Sequence, residues 1–105
     1  MPVKNIETKD EFLNVIDSGY VLVDFYAVWC GPCKMLSPII EKISLKFNDI
    51  IFAKVDVDQL SEVAQMFLVQ SIPTIYLFKD GKPLGHFTGF LPESEFVNFI
   101  NKNKR

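Results

Sequence analysis

Val21-Leu22-Val23-Asp24-Phe25-Tyr26-Ala27-Val28-Trp29-Cys30-Gly31-Pro32-Cys33-Lys34 is the stretch on which the fold turns. Its first half is β-branched and aromatic and nearly unbroken in hydrophobicity. That predicts a strand from Tyr20 to Ala27, covered on both faces. The second half changes character. Gly31-Pro32 marks a turn, and a helix is expected from about Cys33, or a turn earlier, to Phe47. Pro38 falls inside it, removes one backbone donor and predicts a kink. A buried strand passing through a turn into a helix points to an α/β domain.

Upstream, residues 3–6 read as a short strand. Thr8 and Glu11 form a capping-box signature opening a helix whose apolar face is Phe12, Leu13, Val15 and Ile16, ending before Gly19. Downstream, Ile50 to Val57 is a second buried strand, and Leu60 to Phe67 a short helix with Asp58 as a candidate cap. Thr74 to Phe78 and Leu84 to Thr88 pair across an Asp80-Gly81 turn. Pro83 belongs at that hairpin's edge or just outside it. A last helix runs from about Pro92 to Asn101, with Phe96, Phe99 and Ile100 inward. Met35 and Met66 read as helix packing, and His86 as a strand side chain.

The chain has 105 residues, 49% of them hydrophobic and 23% charged, with ten Phe. Those values fit one domain over 1–105 with a real core. A net charge of −2 gives no reason to expect nucleic acid. Lys102, Lys104 and Arg105 complement the dipole of the helix before them. No stretch is apolar enough to span a membrane. Lys4, Glu7, Lys9, Asp10 and Glu11 leave no room for a signal-peptide core. A cytoplasmic protein is expected, and there two cysteines do not make a disulfide scaffold.

Cys30 and Cys33 carry the chemistry. At a helix start, residues three apart lie on one face, with Cβ atoms about 5–6 Å apart. A small rotamer change brings such sulfurs into bonding reach. A purely structural bridge closing so short a loop stabilises by only about 2 kcal/mol. Structural zinc needs four ligands, and beyond these two cysteines the chain offers only the distant His86. Ordinary buried thiols do not call for Gly-Pro between them. Reversible dithiol–disulfide chemistry is the reading that remains favoured. Cys30 precedes the helix, where free backbone N–H groups favour an anion. Cys33 lies one turn in, where it should be less exposed. Cys30 is therefore expected to attack a substrate disulfide and Cys33 to resolve the mixed disulfide.

Two charges interrupt the strands. Asp24 sits mid-strand, where an unpartnered carboxylate is costly. Either one face of the strand is open there, or Asp24 is a buried carboxyl whose raised pKa suits proton transfer. Lys54 interrupts Ile51-Phe52-Ala53-Lys54-Val55 in the same way, and the two charges can relieve each other's burial. Pro73 is either strand punctuation or something more. Trp29, beside a reactive cysteine, reads as a contact residue.

The run from Val23 to Lys34 with Pro38, then Ala53-Lys54-Val55-Asp56, Ile72-Pro73-Thr74, Gly81 and Gly89, closely resembles the thioredoxin family over essentially the whole chain. The resemblance implies a thioredoxin fold: a five-stranded mixed sheet flanked by four helices, three strands parallel and the last two an antiparallel hairpin. It implies general protein-disulfide reduction. Asp24 would lie beneath Cys33 and take its proton, and Lys54 would tune Asp24. Gly31, Pro32 and a cis-bonded Pro73 would shape the site, while Trp29, Ile72 and Gly89 would contact substrate.

No bound cofactor is implied beyond the redox-active Cys30–Cys33 disulfide. The implied partners are an NADPH-linked thioredoxin reductase and disulfide-containing proteins such as ribonucleotide reductase, peroxiredoxin and methionine sulfoxide reductase, met by a monomer. Two features depart from the common pattern. Thr88 and Phe90 flank Gly89 where many relatives carry smaller or more aliphatic residues, and Tyr26 stands where many have Trp. The alternative function is a binding or chaperone subunit that uses the fold without its thiols.

Overall fold

The structure is a computed structural model and describes residues 3–104; Arg105 of the basic tail lies outside them. Five strands and four helices alternate as β1 Val3–Ile6, α1 Lys9–Ile16, β2 Tyr20–Tyr26, α2 Gly31–Ser44, β3 Ile50–Asp56, α3 Ser61–Met66, β4 Thr74–Lys79, β5 Lys82–Thr88 and α4 Glu93–Asn103. The sheet order is β1-β3-β2-β4-β5. β3 is parallel to both β1 and β2, and β4 is antiparallel to β2 and β5. This is the mixed sheet the sequence led us to expect, with β2 in the middle.

That central place explains the continuous hydrophobicity of β2. Val21, Val23 and Phe25 point to the layer containing α1 and α3, where they meet Phe12, Ile16, Val63 and Phe78. Leu22 points to the opposite layer, among Leu36, Ile40 and Ile43 of α2 and Phe96 and Ile100 of α4. Each face carries its own aromatic set. Phe12, Phe25, Phe67, Tyr76 and Phe78 make mutual contacts between 5.3 and 6.3 Å on one side. Phe87 sits edge-on to Phe96 and Phe99 on the other.

Local chemistry sets the boundaries. Thr8 Oγ1 accepts the Glu11 N–H at 3.0 Å, as the capping box predicts. The Glu11 carboxylate accepts from Glu7 N–H at 2.8 Å. Leu13, expected on the buried face of α1, is exposed; Phe12 and Ile16 fill that contact, with Val15 packed beside them. Helix α2 runs through Pro38 without a break. It stops at Ser44, three residues short of the expected Phe47; Lys46 N–H turns back to Ile43 O, and Phe47 reaches the core from the loop. Met35 and Met66, expected as packing residues, are exposed on the outer sides of their helices.

Asp80 and Gly81 have φ of 50° and 84°, the positive values a two-residue hairpin turn demands. Pro83 lies within β5 rather than beside it, opposite Phe78 at the point where the register shifts. An edge strand at an irregularity in the ladder is a place where proline is tolerated. Pro92 caps α4 rather than starting it. Beyond the Phe67 cap of α3, Leu68 N–H donates to Gln65 O while Val69 N–H reaches Ala64 O. Leu68 takes φ of 53°, a left-handed conformation costing a branched side chain about 1 kcal/mol relative to glycine.

Candidate active site

The carboxyl end of β2 delivers Ala27, Val28 and Trp29 to the start of α2. Cys30 is the helix N-cap, with extended backbone and its Sγ accepting the Cys33 N–H at 3.2 Å. In other helices a serine or threonine oxygen does this. The fold has thus put a sulfur where an N-cap oxygen would normally stand. Cys30 and Cys33 are joined as a disulfide with Cα atoms 5.3 Å apart. Once that bond is cleaved, the same N–H and the dipole of α2 favour negative charge on Cys30 Sγ.

Exposure does not separate the two sulfurs, contrary to expectation. Both cysteines are only 4% exposed. Their neighbours separate them instead. Cys30 Sγ lies 3.8 Å from the Ile72 carbonyl oxygen. Ile72 packs against the cluster of Ala27, Cys30 and Cys33, and its bond to the buried Pro73 is cis. Pro73 O accepts from Gly89 N–H at 2.8 Å, and Gly89 has a φ of 86°. Two loops distant in sequence therefore meet on the Cys30 side. Gly31 and Pro32 are exposed at the first turn of α2.

On the Cys33 side lies a cavity of about 320 Å³ lined by Asp24, Tyr26, Cys33, Lys34, Ser37 and Lys54, among others. Asp24 is 5% exposed, which discards the open-face reading of β2. Its Oδ1 is buried with no hydrogen-bond partner. Burial pushes its pKa up to about 7, against a smaller pull downward from the Lys54 charge. Lys54 is Asp24's direct partner in the parallel β2–β3 register, yet no ion pair joins them among the described residues. The Lys54 ammonium sits 5.4 Å from the Tyr26 ring centroid instead, within cation–π range. Burial, then Asp56 and Asp24, push the Tyr26 hydroxyl upward.

Several participants are not legible as such in the sequence. Tyr26 stands out there only as a departure from a pattern, though it is two residues from Asp24 on one face of a strand. Ser37 follows Cys33 by one helical turn, a spacing that places it on the same side. Asp58, expected to cap α3, does something else. Its carboxylate accepts from Trp29 Nε1 at 2.8 Å, and α3 begins at Leu60 without a side-chain cap. No spacing rule announces that contact across 29 residues. Trp29 itself is 67% exposed, so it belongs to the surface and not to the core.

Among the described residues, no three His, Cys, Asp or Glu side chains gather as metal ligands. No helix among them is long and apolar enough to cross a membrane.

Comparison with known proteins gives one answer. The thioredoxin family model matches residues 3–102. Thioredoxin from Chlamydia muridarum is 42% identical over 99 residues, covering 94% of this chain and 97% of its own. The solved thioredoxin of Plasmodium falciparum superposes with a TM-score of 0.89 at 36% identity, covering 94% of this chain and 97% of that one. A chain from a structure on the thiol resolving mechanism of yeast mitochondrial 1-Cys peroxiredoxin via glutathione/thioredoxin systems gives 0.87 at 33% identity, covering 95% and 94%.

Proposed function

The chain belongs to the thioredoxin family and is a dithiol–disulfide oxidoreductase with Cys30–Cys33 as its redox-active disulfide, and from that footing we propose an ordered division of labour between the two sulfurs. Cys30 is the attacking thiolate. It displaces one sulfur of a substrate disulfide, which leaves as a thiolate, and a mixed disulfide forms. Cys33 passes its proton to the Asp24 carboxylate and attacks Cys30 Sγ. The second substrate sulfur then leaves. Two electrons move from the cysteine pair to the substrate, and the pair ends as a disulfide.

The observation that carries this reading is the unequal surroundings of two equally buried sulfurs. One caps a helix beside Trp29, Gly31, Pro32, Ile72 and Gly89, with Pro73 buried behind them. The other lines a cavity shared with a carboxyl whose pKa is near its working range. Lys54, held over Tyr26, tunes that carboxyl. The Ile72 backbone makes no ladder bonds and is available to an extended substrate segment.

Thioredoxin-family proteins act with a thioredoxin reductase and with disulfide-bearing proteins. Here we take regeneration to come from an NADPH-linked thioredoxin reductase. Peroxiredoxin, ribonucleotide reductase and methionine sulfoxide reductase are the proposed substrates. The yeast chain similar to this one supports the first of these. The electrons reside on the sulfurs, so the reaction itself calls for no bound cofactor. A reducing cytoplasmic setting suits a pair that must return to the dithiol, and we take the protein to act there as a single-domain monomer.

The test is reduction of insulin disulfides with dithiothreitol or with reductase and NADPH. Cys30→Ser should abolish it. Cys33→Ser should accumulate mixed disulfides through Cys30. Trapping through Cys33 in the Cys30→Ser protein would reverse the assignment.

A further inference from the structure

Lys54 and Asp24 are partners in the parallel β2–β3 register, where a strand spacing of about 4.8 Å leaves a lysine ample reach to the neighbouring carboxylate. The Asp24 Oδ1 is buried and accepts no hydrogen bond. An ion pair would satisfy both groups, yet the ammonium lies 5.4 Å from the centroid of the Tyr26 ring. The two groups share one cavity without meeting.

Tyr26 is placed to keep them apart. It follows Asp24 by one pleat on the same side of β2 and lines the same cavity. It also packs against the cluster of Ala27, Cys30 and Cys33, a contact that restrains the ring. Over that ring the ammonium gains a cation–π contact and, with Lys54 only half-buried, keeps part of its water. Beside Asp24, which is 5% exposed, it would lose that water. Nothing else around the carboxyl takes its place. Helix α2 brings Cys33, Lys34 and Ser37, β3 brings Asp56 beyond Lys54, and β4 presents Ile75; none of them hydrogen-bonds Asp24 Oδ1.

We propose that Tyr26 is a positioning residue: its ring holds the Lys54 ammonium off the Asp24 carboxylate and so leaves that carboxylate to accept the Cys33 proton. This rests on the reading of Asp24 as proton acceptor and deepens it. As the proton leaves Cys33, its sulfur bonds to Cys30 Sγ, and the substrate sulfur departs with the electron pair of the mixed disulfide. A carboxylate already paired with an ammonium is a weaker base. Held over the ring, Lys54 still attracts negative charge at Asp24 from a distance without closing on it. Loss of the ring removes the competing contact and opens the space between the two groups.

The test is a carbon-13 carboxyl titration of the disulfide form, in which neither cysteine titrates. Tyr26→Leu should lower the Asp24 midpoint by about one pH unit, the low end of what an adjacent cation does. Tyr26→Phe keeps the ring and should keep the midpoint. In the Lys54→Met protein, Tyr26→Leu should change nothing, because there is no ammonium to release. Tyr26→Met, which also lacks a ring, repeats the measurement if Tyr26→Leu does not fold. A midpoint that stays or rises in the variants without a ring overturns the proposal. So does a fall of equal size in the Lys54→Met background, which would mean that water had entered the cavity. A second readout is the rate at which a mixed disulfide with a glutathionylated peptide resolves in the reduced protein. Its pH profile should move down with the Asp24 midpoint in Tyr26→Leu and stay in place in Tyr26→Phe. A midpoint that falls while the profile stays overturns the reading of Asp24 as proton acceptor, and the proposal with it.

Discussion

The two faces of strand β2 carry opposite chemistry. Val21, Val23 and Phe25 face a closely packed layer of aliphatic and aromatic side chains, whose one phenol, Tyr76, donates to Phe67 O. Leu22 begins the other face in the same manner, but one pleat later Asp24 stands in its place. There the layer opens into a cavity with an unpartnered carboxyl oxygen, the Lys54 side chain and the Cys33 sulfur. A single strand therefore supplies rigidity on one side and a titratable group on the other. The aromatic face lets the opposite one carry an unfavourable group, because stability is made where no chemistry happens. Perturbing each side should give opposite signs.

The largest effect is expected on the dry face. Phe25 is fully buried and touches the rings of Phe12, Phe67 and Tyr76. Phe25→Ala should lower the unfolding free energy by about 3–5 kcal/mol, measured by denaturant titration with the slope unchanged. A loss under about 1 kcal/mol would mean that this face is not the anchor, and the comparison would collapse.

Asp24→Asn acts on the opposite face with the opposite sign. Folded Asp24 holds its proton up to about pH 7, whereas the unfolded chain releases it near 3.8. Between those values the folded state binds more protons, so stability falls as pH rises. The favourable contribution is complete below about 3.8 and gone above about 7. The amide of the Asp24→Asn protein cannot ionise, so the variant should gain on the order of 4 kcal/mol at pH 9 and almost nothing at pH 4. Mixed disulfides should persist longer in it, as Cys33 loses its proton acceptor. Equal stability of the two proteins across that range would show that the carboxyl is solvated and the faces alike.

A smaller effect sharpens the picture of the polar face. Lys54 lowers the Asp24 pKa from a distance, without an ion pair. Lys54→Met should raise the Asp24 midpoint above about 7 in a carbon-13 carboxyl titration, by less than burial itself already has. An unchanged midpoint would assign Lys54 to the surface and leave Asp24 governed by burial alone.

Much of this division was written locally and could be read from the chain. The Thr8–Glu11 box, the Asp80-Gly81 turn and the nearly unbroken hydrophobicity of β2 each depend on neighbours within a few residues. So does the three-residue spacing of Cys30 and Cys33. What stayed hidden depends on pairing across the chain. The sheet order came from family resemblance, because hydrophobic period says nothing about which strand lies beside which. Once β3 pairs with β2 in parallel, Lys54 falls beside Asp24, but its ammonium settles over Tyr26, a choice made by side-chain packing. The equal burial of the two cysteines was hidden too: Ile72 and Val57, remote in sequence, pack against the cluster they form with Ala27. Met35 and Met66 misled for a related reason, since an apolar residue on a helix need not face the core.

Trp29 gives the last and smallest test, since it is an apolar residue of the site that escapes both faces. Its indole N–H donates to Asp58, and Asp58 is itself placed by its own N–H bonded to the buried Asp56 carboxylate at 2.9 Å. A ring this exposed gains little from burial, so its orientation depends on that one hydrogen bond. A bond to a charged group at the surface is worth about 1 kcal/mol. Asp58→Ala should therefore leave the melting temperature nearly unchanged while freeing the indole. Fluorescence anisotropy decay of Trp29, the sole tryptophan, should show faster local motion, and insulin reduction should slow by a few fold with the reaction of a small disulfide affected less. If the indole stays fixed in Asp58→Ala, packing against the helix start holds it, and the site's apolar rim is as rigid as the aromatic face behind β2.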